Sequence, residues 1–204
     1  MFKHETQVIK FLLQWYSVNA RNLPWRKKNT LNLPDPYFVF VSEYMLQQTT
    51  VNTVKNKFNE FILKWPSLNK LAQTSEPNIL KFWSGLGYYS RARNLLRSAK
   101  IINKNFKNNI PKTYDELIQL PGIGDYTAKA ILGIGYNKSV MPLDANIERI
   151  LVRLHAIDKP INKVKNKLKD LGKKFISDKY SSNLIQSFMD YGSEICLPRN
   201  PKCN

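Results

Sequence analysis

Apolar residues recur at helical spacing along nearly the whole chain. Near the N-terminus the apolar positions are Val8, Phe11, Leu12, Trp15 and Tyr16. Because these positions share one face of a 3.6-residue period, they predict an amphipathic helix. Clear runs that alternate between apolar and polar residues, as half-buried strands do, are absent. The pattern therefore predicts an all-α protein.

Capping residues mark several of the predicted helix boundaries. Asp35 followed by Pro36 is typical of an N-cap and a first helical position. Thr113 and Glu116 form a Thr-x-x-Glu capping box before a short helix, and Ser90 is predicted to cap another helix. The predicted helices after the N-terminal one cover about 36–46, 50–64, 67–73, 76–84, 90–105, 113–120, 125–135, 145–156, 163–176 and 182–194.

Composition and charge narrow the class of protein. The chain has 204 residues and is 43% hydrophobic, which is enough to bury a core. Lys and Arg number 32 against 15 Asp and Glu, so the formal net charge is +17. Such a surplus points to a polyanionic partner, either nucleic acid or an anionic membrane surface. Heavy Lys, Asn and Ile usage also arises from genome composition, so the charge alone leaves both explanations open.

The sequence shows no sign of export or membrane insertion. The first residues lack the apolar core of a secretory signal, and no apolar stretch reaches the ~18 residues that a membrane span needs. The only two cysteines, Cys196 and Cys203, are too few for a disulfide scaffold. We therefore expect a cytoplasmic protein that does not interact with membranes.

A glycine-containing turn lies between two predicted helices. Its sequence is Leu-Pro-Gly-Ile-Gly at 120–124, followed by Thr127 and Ala128. Two glycines permit a tight turn whose N–H groups point at a phosphate, although an ordinary αα-hairpin would use such a turn too. The full string resembles the helix–hairpin–helix motif of DNA-binding proteins. That resemblance implies sequence-independent binding of the DNA backbone by Gly122, Gly124 and Thr127.

Two carboxyl groups stand out for their surroundings. Asp144 follows Pro142 and starts a predicted helix, where an N-cap aspartate is common and contributes ~1 kcal/mol. Glu43 lies in an apolar helix, so it must be paired, surface-facing or protonated. A partly desolvated carboxyl has a raised pKa and can act as a general acid near neutral pH. A solvent-facing glutamate is the alternative interpretation.

These features together resemble the adenine DNA glycosylase (MutY) family over residues 8–203. The resemblance implies an all-α, two-lobed helix–hairpin–helix glycosylase fold with a DNA cleft between the lobes. One lobe would be a six-helix barrel over 31–137, and the other would combine 1–30 with 138–204. The matching strings are Leu-Pro-Trp-Arg at 23–26, Asp-Pro-Tyr at 35–37, Ser42–Thr49, Gly85–Leu95, the hairpin, Leu143–Asn146 and Cys196-x6-Cys203.

The resemblance implies an activity in base excision repair. Such enzymes excise adenine paired with 8-oxoguanine or guanine in double-stranded DNA and leave an abasic site, after flipping the adenine from the stack. Glu43 would protonate adenine N7, and Asp144 would stabilise the sugar cation. The resemblance also implies that Tyr126 and Asn146 support Asp144 and the sugar. The adenine would be bound by Arg26, Leu46 and Gln186. The gap in the base stack would be filled by Gln48 and Tyr88, which act as a wedge.

Tyr126 and the cysteines depart from related patterns in informative ways. Bifunctional relatives carry a lysine where this chain has Tyr126, and a phenol cannot form the Schiff base needed for strand cleavage. We therefore expect a monofunctional glycosylase, although Lys129 lies three residues on. Cys196 and Cys203 match two of the four ligands of the family's 4Fe–4S cluster. We also expect the family's C-terminal 8-oxoguanine recognition domain to be absent.

Two other functions remain open from the residues alone. One is a glycosylase of the same superfamily that acts on another base, such as thymine in G·T pairs. The other is a truncated, non-catalytic DNA-binding module. Glu43 and the Gln47–Gln48 pair favour adenine over thymine. In the favoured interpretation the protein is a monomer that acts on duplex DNA at the nucleoid.

Overall fold

The computed structural model describes residues 3–27 and 29–203, and within them it is helical, without a β-strand. The all-α prediction is therefore confirmed. Short 3₁₀ turns occur at Pro24–Arg26 and Ile161–Lys163, and a π-turn at Ile131–Gly135. The α-helices are α1 Lys3–Asn19, α2 Pro36–Leu46, α3 Val51–Lys64, α4 Leu68–Ala72, α5 Glu76–Trp83, α6 Ser90–Phe106, α7 Tyr114–Ile118, α8 Asp125–Ala130, α9 Ala145–Leu154, α10 Lys165–Lys173 and α11 Ser181–Glu194.

Two of the three predicted caps form as expected. The Asp35 carboxylate accepts a hydrogen bond from the Tyr37 backbone N–H at 2.8 Å, at the start of α2. The Thr113 hydroxyl oxygen accepts from the Glu116 N–H at the start of α7. Ser90 was predicted to be an N-cap, but it is the first helical residue of α6 and Tyr89 is the cap, without a side-chain hydrogen bond. That prediction is wrong.

The segment 125–135 is helical, as predicted, but it is not a uniform α-helix. The α-helical geometry of α8 ends at Ala130 and the π-turn continues to Gly135. Backbone packing at the end of this turn is close, because a Cβ on Gly135 would lie 3.2 Å from the Pro36 Cα. The turn therefore brings the end of this segment against the start of α2.

The chain divides into two compact units, which we call the central unit and the terminal unit. The central unit is Asn22–Tyr136, and the terminal unit combines Met1–Arg21 with Asn137–Asn204. The central unit begins nine residues earlier than the lobe predicted from residue 31, because Leu23 and Trp25 are buried and their turn contacts α2 and α3. The largest fully buried side chains of the central unit are Phe40, Tyr44, Phe58, Phe61 and Trp83.

The terminal unit is built around α11, which contacts both α1 and α9. Phe11 and Trp15 meet the ring of Tyr191 edge-on, with ring centroids 5.6 and 5.2 Å away. Edge-to-face aromatic pairs at this separation are favourable, so they help to fasten α1 to α11. Across the described residues, no helix has both the length and the apolar character required to cross a membrane.

Candidate active site

The carboxyl group of Glu43 is buried in the last turns of α2. Every residue from Val39 to Met45 is buried, and Glu43 itself is 7% exposed. The solvent-facing alternative for Glu43 is therefore wrong. A carboxyl removed from water in this way is costly to ionise without partners, which is the setting that general-acid chemistry requires.

Other candidate residues of the central unit lie at the C-terminal end of α2 and in nearby turns. Leu46, the last residue of α2, and Arg26, in the 3₁₀ turn, are both half-buried. Gln48 and Tyr88 are exposed and have positive φ angles of 57° and 47°. Left-handed backbone is uncommon for residues other than glycine, so the surrounding structure must hold both in place.

The hairpin turn is tied to α2 and α6. The Tyr44 hydroxyl and the Ser98 hydroxyl both donate to the Pro121 carbonyl oxygen, at 2.5 and 3.1 Å. Gly122 has φ +81°, and a Cβ there would lie 3.0 Å from atoms of both Asn94 and Tyr44. The turn therefore requires glycine at this position both for its backbone angle and for its close packing.

Gly124 differs from Gly122 in its surroundings. Its φ is −104°, and a Cβ added there would meet no atom within 4 Å. The fold therefore does not require glycine at 124, and the open space leaves the backbone accessible to a ligand. Thr127, which we assigned to the same DNA-backbone site, is only 5% exposed.

The acidic residue beside the hairpin is paired. Asp125 accepts hydrogen bonds from the Tyr114 hydroxyl at 3.0 Å and from Lys129 Nζ at 3.0 Å. The ammonium of Lys129 is thus engaged with a carboxylate on the same helix. Tyr126, next to Asp125 in α8, is half-buried.

Asp144 is the N-cap of α9. Its Oδ1 accepts from the Ile147 N–H at 2.7 Å, and its Oδ2 accepts from Asn146 Nδ2 at 3.0 Å. Burial raises the pKa of Asp144 above its ordinary value, while these hydrogen bonds and the nearby Arg149 oppose the rise. The capping role is therefore confirmed, and it presents a partly desolvated carboxyl with both oxygens held in place.

Arg149, a residue that no sequence motif singled out, binds the side chain of Asn146. Its Nη2 donates to Asn146 Oδ1 at 2.8 Å and to the Gly192 carbonyl at 2.5 Å. Its Nε donates to the Cys196 carbonyl at 2.7 Å. The one available signal was the three-residue spacing from Asn146, which places both side chains on one helix face.

Gln186 lies in α11 of the same unit and is 2% exposed. Its Nε2 donates to the carbonyl and the hydroxyl of Ser182, at 3.0 and 3.1 Å. Its Oε1 is buried and has no hydrogen-bond partner among the residues that the structure describes. A buried acceptor without a donor is unfavourable, so this oxygen is suited to a donor supplied by a ligand.

Cys196 and Cys203 were expected to be two of four cluster ligands. Cys196 is buried, with Sγ 3.3 Å from Arg153 Nη1, and Cys203 is exposed. Among the described residues, no three His, Cys, Asp or Glu side chains form a group that could hold a metal ion. Two thiols do not fit the four-thiolate ligand set of a 4Fe–4S cluster.

The predicted site residues fall into two groups. Glu43, Arg26, Leu46, Gln48, Tyr88, Gly122, Gly124, Tyr126 and Thr127 lie in the central unit, whereas Asp144, Asn146, Gln186, Cys196 and Cys203 lie in the terminal unit. In the first group, the end of α2 contacts the hairpin through Gln47 Nε2, which donates to the Gly122 carbonyl at 3.3 Å. In the second, Asp144 and Asn146 are hydrogen-bonded to each other.

Known proteins of similar sequence are adenine DNA glycosylases. The chain is 41% identical over 198 residues to that of Buchnera aphidicola subsp. Schizaphis graminum (strain Sg), covering 96% of this chain and 56% of the relative. It is 36% identical over 213 residues to the human adenine DNA glycosylase, covering 100% of this chain and 39% of the human protein. The chain thus spans about half the length, or less, of these relatives. The predicted resemblance to this family is confirmed.

Solved structures of similar fold are also glycosylases and related DNA enzymes. A thermostable thymine-DNA glycosylase matches with a TM-score of 0.85 and 24% identity, over 98% of this chain and 91% of that one. Endonuclease III in a trapped covalent complex with DNA matches with a TM-score of 0.78 and 18% identity, over 100% and 92%. At these identities the likeness shows the fold alone.

A model of a protein family also matches this chain. The model described as "HhH-GPD superfamily base excision DNA repair protein" matches residues 41–174, which include the hairpin, Glu43 and Asp144. The predicted all-α, helix–hairpin–helix glycosylase fold class is therefore confirmed. The chain belongs to the HhH-GPD superfamily of base excision DNA repair proteins.

Proposed function

We propose that this chain hydrolyses the N-glycosidic bond of adenine paired with 8-oxoguanine or guanine in double-stranded DNA, leaving an abasic site. The observation that carries the proposal is the buried carboxyl of Glu43, which is 7% exposed within an otherwise apolar helix. A buried ionisable group among apolar side chains is a candidate for proton-transfer chemistry. Similarity to adenine DNA glycosylases of several species supports adenine as the base.

In the proposed reaction, the proton of Glu43 moves to N7 of a flipped adenine. The bond between C1′ and the base then breaks, and its electron pair leaves with the adenine. The resulting sugar cation is stabilised by the ionised carboxylate of Asp144, as in the two-carboxylate chemistry of glycoside hydrolysis. A water adds to C1′ and gives a proton to the Glu43 carboxylate, which restores the acid and completes the abasic site. Tyr126 and Asn146 support Asp144 and the sugar.

Binding of the adenine and of the gap it leaves is assigned to other residues. Arg26, Leu46 and Gln186 hold the base, and the unpartnered Oε1 of Gln186 would accept a hydrogen bond from the adenine amino group. Gln48 and Tyr88, both exposed, occupy the gap in the stack. An aromatic ring such as that of Tyr88 stacks on bases without sequence preference.

Duplex DNA is proposed to bind through its backbone at the hairpin. The open space at Gly124 would let a phosphate approach the N–H groups of the turn, and the net charge of +17 supports binding of a polyanion. The pairing of Asp125 with Lys129 and Tyr114 limits its repulsion of a phosphate. The working form is proposed to be a monomer that acts on the nucleoid in the cytoplasm.

The proposed enzyme is monofunctional. Strand cleavage by β-elimination needs an amine that forms a Schiff base with C1′, and Tyr126 supplies a phenol at the position that bifunctional relatives fill with lysine. Lys129, the nearest lysine in the same helix, is held by the Asp125 carboxylate at 2.8 Å. The protein is therefore expected to release adenine and leave the strand intact.

For a 4Fe–4S cluster, the proposal is limited to the two cysteines that would be its ligands. Cys196 and Cys203 would be two of four thiolates, and the other two are not in this sequence. Iron and acid-labile sulfide analysis of the purified chain checks this. Substoichiometric iron that does not change when both cysteines become serine would contradict a ligand role.

Single-turnover excision on three duplexes tests the proposal. The duplexes carry adenine opposite 8-oxoguanine, adenine opposite guanine, and thymine opposite guanine, and each sample is divided between hot alkali and no alkali. We expect strand breaks at adenine after alkali only, and their loss in Glu43→Gln.

Three other outcomes of the excision assay would contradict parts of the proposal. Breaks without alkali would contradict the monofunctional assignment and direct attention to Lys129. Breaks at thymine alone would show that the substrate base is thymine and not adenine. DNA binding without any excision would support a non-catalytic module instead.

A further inference from the structure

Arg91 is a buried cation whose described hydrogen-bond partners include no carboxylate. The residue lies in the first turn of α6 and is 5% exposed. Its two terminal nitrogens make five hydrogen bonds, four to backbone carbonyls and one to a hydroxyl. Burying a guanidinium is costly, so this residue is more than a surface charge.

The five hydrogen bonds join two separate chain segments. Nη1 donates to the carbonyls of Tyr44 and Met45, at 3.1 and 2.7 Å, in the last turn of α2. These are among the carbonyls that a helix end leaves without intrahelical partners. Nη2 donates to Leu86 and Gly87 carbonyls, at 2.7 and 3.1 Å, in the turn before α6. One planar group thus fixes the end of α2 against the 85–89 turn.

Each of the two segments leads directly into a residue with left-handed backbone. Gln48 follows the end of α2, and Tyr88 lies in the turn that Arg91 holds. Nη2 also donates to the hydroxyl of Thr49, the neighbour of Gln48, at 3.0 Å. The guanidinium carbon lies 5.8 Å from the centre of the Tyr88 ring, within reach of a cation–π attraction. Arg91 therefore contacts the immediate surroundings of both exposed side chains.

We infer that Arg91 is a positioning residue, which holds Gln48 and Tyr88 together so that they enter the DNA stack as one wedge. The inference rests on the proposed glycosylase function. Left-handed φ angles at both positions require that their surroundings over-determine them, and Arg91 contacts both segments.

A lysine cannot substitute for Arg91 in this geometry. The two terminal nitrogens of the guanidinium carry four N–H donors in a planar fork, whereas an ammonium has three donors around one atom. A lysine would keep the charge but leave carbonyls of one segment unpaired. Arg91→Lys therefore tests the geometry of the guanidinium at constant charge. Arg93→Lys is its matched control, because Arg93 is exposed and pairs with Glu76 on the surface.

A double-mutant cycle tests the inference, with single-turnover excision of adenine opposite 8-oxoguanine as the readout. We expect Arg91→Lys to slow excision about tenfold, within the range that losing one base–aromatic stack produces. In a Tyr88→Ala background the same change should cost no more than about twofold, since coupled residues are non-additive. Arg93→Lys should leave the wild-type rate unchanged.

Base unstacking gives an independent, spectroscopic readout. With 2-aminopurine in place of the target adenine, wild-type binding should raise the fluorescence, and Arg91→Lys should remove most of the rise while the duplex stays bound. Thr49→Val, which removes the hydroxyl acceptor, provides a second variant if Arg91→Lys does not fold. It is expected to lower the same signal.

The outcomes separate the inference from the proposed function. Absence of adenine excision by the wild-type chain would contradict the proposed function itself. Excision by the wild type, with an Arg91→Lys loss that is equally large in both backgrounds, would show a purely structural role. An unchanged rate and fluorescence in a folded Arg91→Lys would also overturn the inference.

Discussion

At the scale of single residues, Asp144 is both the N-cap of α9 and the residue proposed to stabilise the sugar cation. The sequence allowed either an N-cap or a catalytic aspartate, and the structure places it at the cap of α9 with both oxygens hydrogen-bonded. Burial nevertheless raises its pKa. The ionised form that the proposed chemistry needs is therefore held against an unfavourable environment, which is a common property of functional sites.

Replacing Asp144 with asparagine should remove activity and stabilise the fold. Asparagine is as good an N-cap but carries no charge, so we expect excision to fall by about 10²–10³-fold. Because the pKa is raised in the folded state, the folded protein binds this proton more tightly than the unfolded chain does. The aspartate therefore costs stability once the pH exceeds that raised pKa, and Asp144→Asn should have a higher Tm at neutral pH.

The difference in Tm between wild type and Asp144→Asn should depend on pH. The stability that the protonated Asp144 contributes is fully present below its ordinary pKa of 3.8 and is lost as the pH rises through the raised value. The difference in Tm between wild type and variant should thus shrink as the pH falls toward 4. A variant that is less stable at neutral pH would show that the carboxylate is favoured by its surroundings.

At the scale of elements, the packing of α9 against α11 determines where Asn146 lies. A Cβ on Gly192 in α11 would be 2.6 Å from the Asn146 Cβ in α9, a distance that side chains do not tolerate. Arg149 bridges the same two helices through the Gly192 carbonyl. The support of Asp144 by Asn146 therefore depends on the closeness of two helices.

Gly192→Ala should loosen this contact. We expect a loss of about 1–3 kcal/mol in the free energy of unfolding, which is typical of overpacking, and slower excision because Asn146 is displaced. Denaturant unfolding and single-turnover rates measure the two effects.

Gly124→Ala is the matched control for that prediction. A Cβ there meets no atom, so stability should change by less than about 1 kcal/mol, while DNA affinity falls if a phosphate approaches the turn. Equal destabilisation by both variants would contradict the packing argument.

Element boundaries also show what local sequence signals leave out. Asp35 and Thr113 cap their helices as predicted, because a cap is a contact between near neighbours in sequence. Ser90 does not cap, and α6 begins with Tyr89 as its N-cap. At this position the carbonyls of the preceding turn are bound by Arg91, a contact that no capping pattern contains.

At the scale of the whole molecule, the terminal unit is assembled from two ends of the chain. Arg21, just beyond α1, donates from its backbone N–H and its Nε to the carboxylate of Asp190 in α11, at 3.0 and 2.5 Å. Asp190 is fully buried. This ion pair links positions 169 residues apart, so it depends on the complete fold of the unit.

Asp190→Asn should therefore destabilise the terminal unit. Asp190 is buried but Arg21 is half-buried, so we expect a loss of about 1–3 kcal/mol, typical of weakening the hydrogen bonds of a buried group. Circular dichroism during thermal unfolding measures the loss. Asp170→Asn is the control, because Asp170 pairs with Lys173 on the surface and such pairs contribute less than about 1 kcal/mol. An equal effect of the two substitutions would show that the Arg21 contact is dispensable.

The sequence alone determined the fold class, most helix ranges and the family, because these depend on spacing and on contiguous strings. The 3.6-residue period, the caps and the glycine turn act over a few residues, and the strings around Glu43 and Asp144 are contiguous. The roles of these residues stay predictions that the excision assays test.

Only the tertiary structure decided how the candidate residues are held. Arg91 and Arg149 bind carbonyl groups up to 47 positions away in the sequence. Asp190 binds Arg21, which is 169 positions away. The structure also established that Glu43 is buried and that Gly122, unlike Gly124, is required by its neighbours. Burial and long-range hydrogen bonds depend on which segments meet when the chain folds, and local sequence patterns do not encode that information.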